Sequence, residues 1–192
     1  PGCVPWGVIG VFLNDYLLVD RGAPSKIAAV AVCACWGVGS VCGQLLGGWA
    51  GQQILTSYPH SRHYICYLMA FSTFFAVVPL LLVLNLPFSF SVLMPLALVG
   101  GILSGVTGPN VRAVLLNCNS SDTRGRVFAV YTLTDDIGKG LGPPLIGAMV
   151  AAFGRATAFN VATGMWCVCG LLLLLLGGTM RADEEDVLRT PL

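Results

Sequence analysis

Charge is what this sequence has least of: only 10% of its 192 residues are Asp, Glu, Lys or Arg. Water-exposed globular domains carry about 25%, so a soluble domain of this length is the first class excluded. The net charge is +1. No Lys/Arg cluster interleaved with aromatics is present, which removes a nucleic-acid partner from consideration. Histidine occurs twice, as His60 and His63. Both lie in a short polar loop beside Arg62, where contact with water or lipid headgroups is expected rather than metal ligation. None of the 8 cysteines forms a Cys-x-x-Cys pair. Cys33 and Cys35, like Cys167 and Cys169, are two apart on helices and point in different directions. The cysteines are therefore expected to be small buried packing residues, and neither a metal nor a cofactor is expected. No basic stretch and cleavage site precede the first apolar run, so no signal peptide is visible.

What the chain has instead is apolar length. Hydrophobic residues make up 56%, and the 24 glycines and 11 prolines fall inside apolar runs rather than polar linkers. About 20 helical residues cross a bilayer core. On that measure six segments qualify: Val4 to Val19, Ile27 to Gly51, Tyr64 to Leu86, Val92 to Leu116, Val127 to Phe153, and Phe159 to Leu176. The first is short. Because the sequence opens on Pro1 without an initiator Met, the expectation is a truncated first helix. The predicted fold is thus an all-α membrane protein, a bundle of six transmembrane helices over residues 1–176 with a cytoplasmic acidic tail at 177–192. Asp183 to Asp186 are expected to be solvated and disordered in that tail.

Basic residues set an orientation. Turns after the first, third and fifth spans hold Arg21, Lys26 and Arg155, whereas the other side collects Arg62, Arg112, Arg124, Arg126, Arg181 and Arg189. Three against six makes the second side cytoplasmic. Trp6, Trp49, Tyr58, Tyr64 and Tyr67 fall near the cytoplasmic interface in this arrangement, as an aromatic belt would. Asn119-Ser120-Ser121 is a glycosylation sequon on the side where it would go unused, so sugar on Asn119 would refute the orientation.

Against this background the fifth span stands out, because Asp135, Asp136 and Lys139 occupy its middle and Gly140, Gly142, Pro143 and Pro144 follow at once. A charge at the bilayer centre costs ~2.5 to 3.5 kcal/mol even on lenient insertion scales, so the three are expected to face protein or a water-filled cavity. At 100° per residue they share about one quadrant, with the lysine between the acids and Phe128 and Thr132 on the same side. The opposite side reads Val130, Leu133, Ile137, Leu141, Pro144 and Ala148, fit for lipid. Counting from Arg126 at ~1.5 Å per residue puts Asp135 at ~14 Å and Lys139 at ~20 Å, around the midplane. Transporters bind substrate and coupling ions at that depth. Lys139 can neutralise one aspartate in the favourable acid-before-base order at spacing four. The remaining carboxylate is a candidate proton carrier, unless a partner on another helix compensates it. Gly138, Gly140, Gly142 and the Pro143-Pro144 pair predict a kink or hinge.

Three further features bear on function. In the second span Gly39, Gly43, Gly47 and Gly51 recur every four residues behind Cys35. Such a row permits close approach of another helix; it also offers a smooth surface along which two bundles can rock. In the fourth span Gly108-Pro109-Asn110 and Arg112 interrupt the helix, and Arg112 is placed either to bind an anionic group or to snorkel to lipid phosphate. Asn14 and Asp15 lie toward the outer end of the first span, where they line a vestibule or cap the exit beside Asp20.

Taken together, six spans with cytoplasmic ends, the Gly-Gly-Trp-Ala-Gly run at Gly47 to Gly51, and the Arg124-Gly125-Arg126 loop before a polar fifth span resemble the carboxy-terminal half of a major facilitator superfamily transporter. Within it, Asn14-Asp15-Tyr16 and the Pro-His-Ser-Arg loop at Pro59 to Arg62 are similar to spinster-like members. The resemblance implies a two-bundle fold with a central cavity and a missing amino-terminal half of six more helices. It further implies that the first and fourth spans line the cavity, the second and fifth lie at the bundle interface, and the third and sixth face lipid. Asn14, Asp15, Asn110 and Arg112 are then cavity or gate residues, and Gly47, Gly48, Gly51 and Gln52 a loop motif. The family commonly has an acid where Gln52 stands, which weakens any charge relay there.

Enzyme classes fit poorly. An intramembrane aspartyl protease needs aspartates on two facing helices, and Asp135 and Asp136 are neighbours on one. A rhomboid-like protease needs an intramembrane histidine, and both histidines are in a loop. The expected function is secondary transport of a small organic or amphiphilic solute by alternating access, with proton coupling through Asp135, Asp136 and Lys139. The implied partners are the bilayer, the solute and the amino-terminal half. The competing class is a self-contained six-helix channel or structural membrane protein.

Overall fold

The computed structural model describes residues 2–58 and 63–189, the stretch 181–189 by its backbone alone. Pro59, His60 and Arg62 lie outside the described residues. Six helices follow one another: α1 (Val4–Val19), α2 (Lys26–Ser57), α3 (Tyr64–Asn85), α4 (Phe90–Asn117), α5 (Ser121–Phe153) and α6 (Arg155–Arg189). Four of them, α2, α3, α4 and α6 as far as Met180, are long and apolar enough to cross a membrane. The sequence led us to expect six such spans. α1 falls short in length, and α5 carries Asp122, Arg124, Arg126, Asp135, Asp136 and Lys139, too much charge for a plain lipid-facing span.

Local chemistry explains the helix ends and interruptions. Ser25 opens α2, its side-chain oxygen accepting from the Ala28 amide at 3.2 Å, which satisfies one of the orphan donors of a first turn. α1 contains a π-helical turn over Val8–Phe12. α4 is interrupted at Val106, four residues before Asn110 and three before Pro109, whose missing N–H leaves the Gly105 carbonyl without its helical partner. α5 and α6 are joined at Gly154, whose φ of 80° lies in the left-handed region that favours glycine.

Several boundaries differ from the sequence reading. α2 runs six residues past Gly51, so Gly47, Gly48, Gly51 and Gln52 sit on a helix rather than at the mouth of a loop. α5 passes through Pro143 and Pro144 as one unbroken helix where a hinge was expected. α6 remains helical to Arg189, where a disordered tail was expected. A long helix that is already nucleated extends at little cost per residue into good helix formers such as the Arg-Ala-Asp-Glu-Glu stretch.

Two close helix pairs build the bundle. In the first, the glycine row of α2 meets a row of α4 at the same four-residue spacing. A methyl group on Gly39 would overlap the Leu98 backbone, one on Gly43 that of Ile102, one on Gly47 that of Val106, and one on Gly51 the Asn110 amide. Cys35 extends the series to Met94, with sulfur atoms 3.6 Å apart. Every pair has the same offset in sequence, so the helices run parallel, and two i±4 rows interdigitate as in close membrane-helix crossings. Gly101 and Gly105 return the contact against the backbones of Trp36 and Ser40. The glycine row is therefore used up inside the bundle, which corrects its reading as a surface for bundles to rock on.

The second pair is α3 with α6, where Gly170 takes the Phe74 ring and Gly177 the Cys66 and Tyr67 side chains. Ile65, Cys66, Met69, Ala70, Leu173 and Met180 are buried there. A larger core joins α1 to both pairs through aromatic contacts. Tyr16 meets Phe159 edge-on at 5.0 Å, and Trp166 lies between Trp6 at 6.1 Å and Trp36 at 6.4 Å. Trp6 is half-buried and packs against Trp166. Trp49, Tyr58, Tyr64 and Tyr67 do remain exposed. α5 is held least, since only its Gly142 and Ile146 are buried.

Candidate functional site

All six helices contribute to one cavity of about 330 Å³. The start of α1 supplies Gly2, Cys3 and Trp6, α2 supplies Ser40 and Gln44, and α3 supplies Thr73 and Ala76. From α4 come Ser104, Gly105, Thr107, Gly108, Val111 and Arg112, from α5 Tyr131, Asp135 and Lys139, and from α6 Trp166 and Cys169. The third and sixth helices thus reach the cavity as well as the outer surface, beyond the lipid-facing role expected of them.

The α5 row Tyr131, Asp135 and Lys139 reaches the cavity because residues four apart share a helix face. Lys139 donates to Asp135 Oδ2 at 2.5 Å. The Cys3 thiol donates to Asp135 Oδ1 at 2.9 Å, so both carboxylate oxygens are occupied. Asp136, one residue on, is exposed and does not line the cavity. The expected three-charge cluster therefore separates into a paired acid and base on the cavity lining, with the Lys139 side chain 56% exposed, and a second acid off that lining. On the other side of the same helix Val130, Leu133, Ile137 and Leu141 are all more than half exposed, as an apolar outer face requires.

Among the other sequence-predicted residues, Arg112 alone lines the cavity. It makes no hydrogen bond or ion pair among the described residues. Asn110 is 1% exposed and its amide donates to the carbonyls of Gly47 at 3.0 Å and Val106 at 2.8 Å. It thereby pins α2 to α4, and it does not line the cavity. Asp15 pairs with Arg155, which also holds Asp20 at 2.8 Å. Arg21 donates to the Tyr16 hydroxyl at 2.6 Å and lies over its ring at 5.1 Å. These residues fasten the exit of α1 to the start of α6, away from the lining of this cavity, which is the capping place beside Asp20 that was one of the two expected for Asp15. Asn14 is exposed beside them and does not line the cavity either. His63 packs on Tyr64 at 4.7 Å and Tyr67 at 5.6 Å.

Sequence reasoning missed Cys3, Tyr131, Thr73, Thr107, Trp6 and Trp166. Thr73 and Thr107 share a hydrogen bond of 2.9 Å across α3 and α4, and Trp166 Nε1 donates to the Gly2 carbonyl at 3.0 Å. Tyr131 was within reach of the helical spacing that singled out Asp135. The two threonines are rare hydroxyls in apolar runs, a signal of the same kind. Nothing in the sequence joins Cys3 to Asp135.

A family model described as Major Facilitator Superfamily matches residues 3–191, almost the entire chain. No curated protein and no solved structure gives a match. The match reaches the superfamily as a whole and does not extend to the spinster-like subdivision, four of whose seven residues, Pro59 to Arg62, fall outside the described structure.

Proposed function

The chain belongs to the major facilitator superfamily of membrane transporters, and from that premise we propose that its six helices form the carboxy-terminal half of a secondary transporter for a small organic or amphiphilic solute. It is an integral, multi-pass membrane protein. The observation that carries the proposal is the Asp135–Lys139 pair facing a cavity about 330 Å³ in volume, a size within the range that small ligands occupy. An ion pair with both carboxylate oxygens occupied can be exchanged for contacts to solute or proton. This reading moves the carrier role from the unpaired carboxylate, where it was expected, to the paired Asp135: protonating Asp135 removes its hold on Lys139 and frees the ammonium, a two-state change of the kind a coupled carrier needs.

The exposure of α5 supports an amino-terminal partner bundle. Its Asp136 and its apolar residues are uncovered, and a second six-helix bundle packed there would cover the charged edge while lipid covers the rest. The basic residues support an orientation with both ends of the chain in the cytoplasm. Alternating access then amounts to rocking of the two bundles about the cavity.

The test is uptake of a panel of organic solutes by the full-length polypeptide in proteoliposomes with an imposed pH gradient. Accumulation driven by the gradient, abolished or uncoupled in Asp135→Asn, is the expected result. Ion currents without saturable uptake would instead identify a channel and overturn the proposal.

A further inference from the structure

Two cations and one carboxylate line the cavity: Arg112, Lys139 and Asp135. Asp135 takes Lys139 at 2.5 Å and its other oxygen is held by Cys3. One positive charge, that of Arg112, is left over. No other acid among the described residues lines the space, since Asp136 faces outward and Asp15 and Asp20 are committed to Arg155. Arg112 is an exposed residue on the lining and makes no hydrogen bond or ion pair among the described residues, so its guanidinium is free to present several donors in a fixed fork to an anion.

The surroundings give that anion a seat. Ser104, Gly108 and Arg112 follow one another at four-residue spacing on α4 and all three line the cavity, so they form one strip of the same helix face. A methyl group on Gly108 would meet nothing within 4 Å, which leaves open room beside the root of the arginine. Another part of the lining is apolar and aromatic. Trp6 and Trp166 meet edge to face at 6.1 Å and both border the cavity with Ala76 and Val111. An aromatic edge and face side by side accommodate a flat or aliphatic body.

We infer that the cavity takes an amphiphilic monoanion, its carboxylate or phosphate on Arg112 over Gly108 and its apolar body against Trp6 and Trp166. This assignment rests on the reading of the cavity as the solute site and adds the charge of the solute. Lys139 does not recruit the anion while Asp135 holds it, and Arg112 is a binding residue in its own right.

The test measures binding without transport. The full-length polypeptide is placed in phosphatidylcholine nanodiscs, and energy transfer from tryptophan to three dansyl probes is read against protein-free nanodiscs. The probes are dansylglycine, which is anionic, dansylamide, which is neutral, and dansylcadaverine, which is cationic. Dansylglycine binds tightest if the assignment holds. Arg112→Gln weakens its binding about tenfold or more, the loss expected for one charge-assisted hydrogen bond, and leaves dansylamide binding unchanged. Arg112→Lys retains the preference for the anion in weaker form. Repeating the titration with phosphatidylglycerol in the bilayer separates two sources of the anion: displacement of dansylglycine assigns the seat to a lipid headgroup, and persistence assigns it to a solute from water. Equal binding of the three probes, or no effect of Arg112→Gln on dansylglycine, overturns the charge assignment and leaves the cavity as a solute site. Absence of binding by all three overturns both.

Discussion

Gly43 of α2 lies directly against the carbonyl of Ile102 on α4, with no room for a side chain between them. Any larger residue must push the two helices apart along the whole row from Gly39 to Gly51. Gly43→Ala is expected to destabilise the protein by about 1–3 kcal/mol, the usual cost of overpacking a close-packed contact. Gly37→Ala is its control, because a methyl group there meets nothing within 4 Å; alanine should be neutral or slightly stabilising in that helix. Thermal unfolding in one detergent compares the two. Equal melting temperatures would mean that α2 and α4 do not meet as described.

Asp135 and Asp136 should behave differently despite being neighbours. Asp135→Asn removes the carboxylate that holds Lys139 and Cys3, and uptake should fall about tenfold or more, as expected when an ionic hydrogen bond in a binding site is lost. Asp136→Asn removes a charge from the outward side and should leave solute binding intact. Lys139→Ala is expected to lose stability as well as uptake, since Asp135 then keeps only a thiol donor. Uptake and thermal unfolding of the three variants read together test the division, and a larger uptake defect in Asp136→Asn than in Asp135→Asn would reverse it.

Helix periodicity alone grouped those two acids, and its limit is instructive. A turn of 100° between neighbours keeps Asp135 and Asp136 within one broad face, and it takes the packing of α5 on the start of the chain, with Ile146 and Pro143 at Gly7 and Cys3 on Asp135, to turn Asp135 inward. Apolar length identified the helices well, because the cost of exposing backbone in lipid leaves few alternatives to a continuous helix. It could not show how α5 carries its charges, since a helix of that length can be stabilised by facing protein or water as well as lipid. The glycine row announced a close approach; the choice of α4 as partner depends on the matching row from Leu98 to Asn110, whose side chains carry no local signature. Asp15 drew attention as a charge near a membrane surface, yet its partner Arg155 comes from the far end of the chain, and pattern reading within a segment has no access to that.

Arg155 anchors α6 to α1 through Asp15 and Asp20. Asp15 is 62% exposed at its side chain, so water and salt screen the contact and each pair is expected to contribute only about 0–1 kcal/mol. Arg155→Ala should therefore lower the melting temperature slightly, and the gap to the unmodified protein should close as ionic strength rises past about 1 M, where the screening length falls to about 3 Å. A large, salt-independent loss would show that the Arg155 contact with the Tyr16 ring at 5.8 Å matters more than the charges.

Asn110 offers the sharpest separation of structural from transport roles. Its amide bridges the carbonyls of Gly47 and Val106 from a position closed to solvent, and its oxygen fills the space that Gly51 leaves. Asn110→Ala deletes both bonds and opens a gap, for a cost of about 1–3 kcal/mol. Asn110→Asp keeps the shape but turns a donor into an acceptor facing two carbonyl oxygens, adding buried charge to lost hydrogen bonds, and should cost more than the alanine variant. Because Asn110 does not line the cavity, the solute affinity of whichever variant remains folded should match that of the unmodified protein. Unfolding curves give the first quantity and the dansyl titration the second. A variant with an unchanged melting temperature and a changed affinity would move Asn110 from the helix contact into the solute path, as its place in the broken stretch of α4 first suggested.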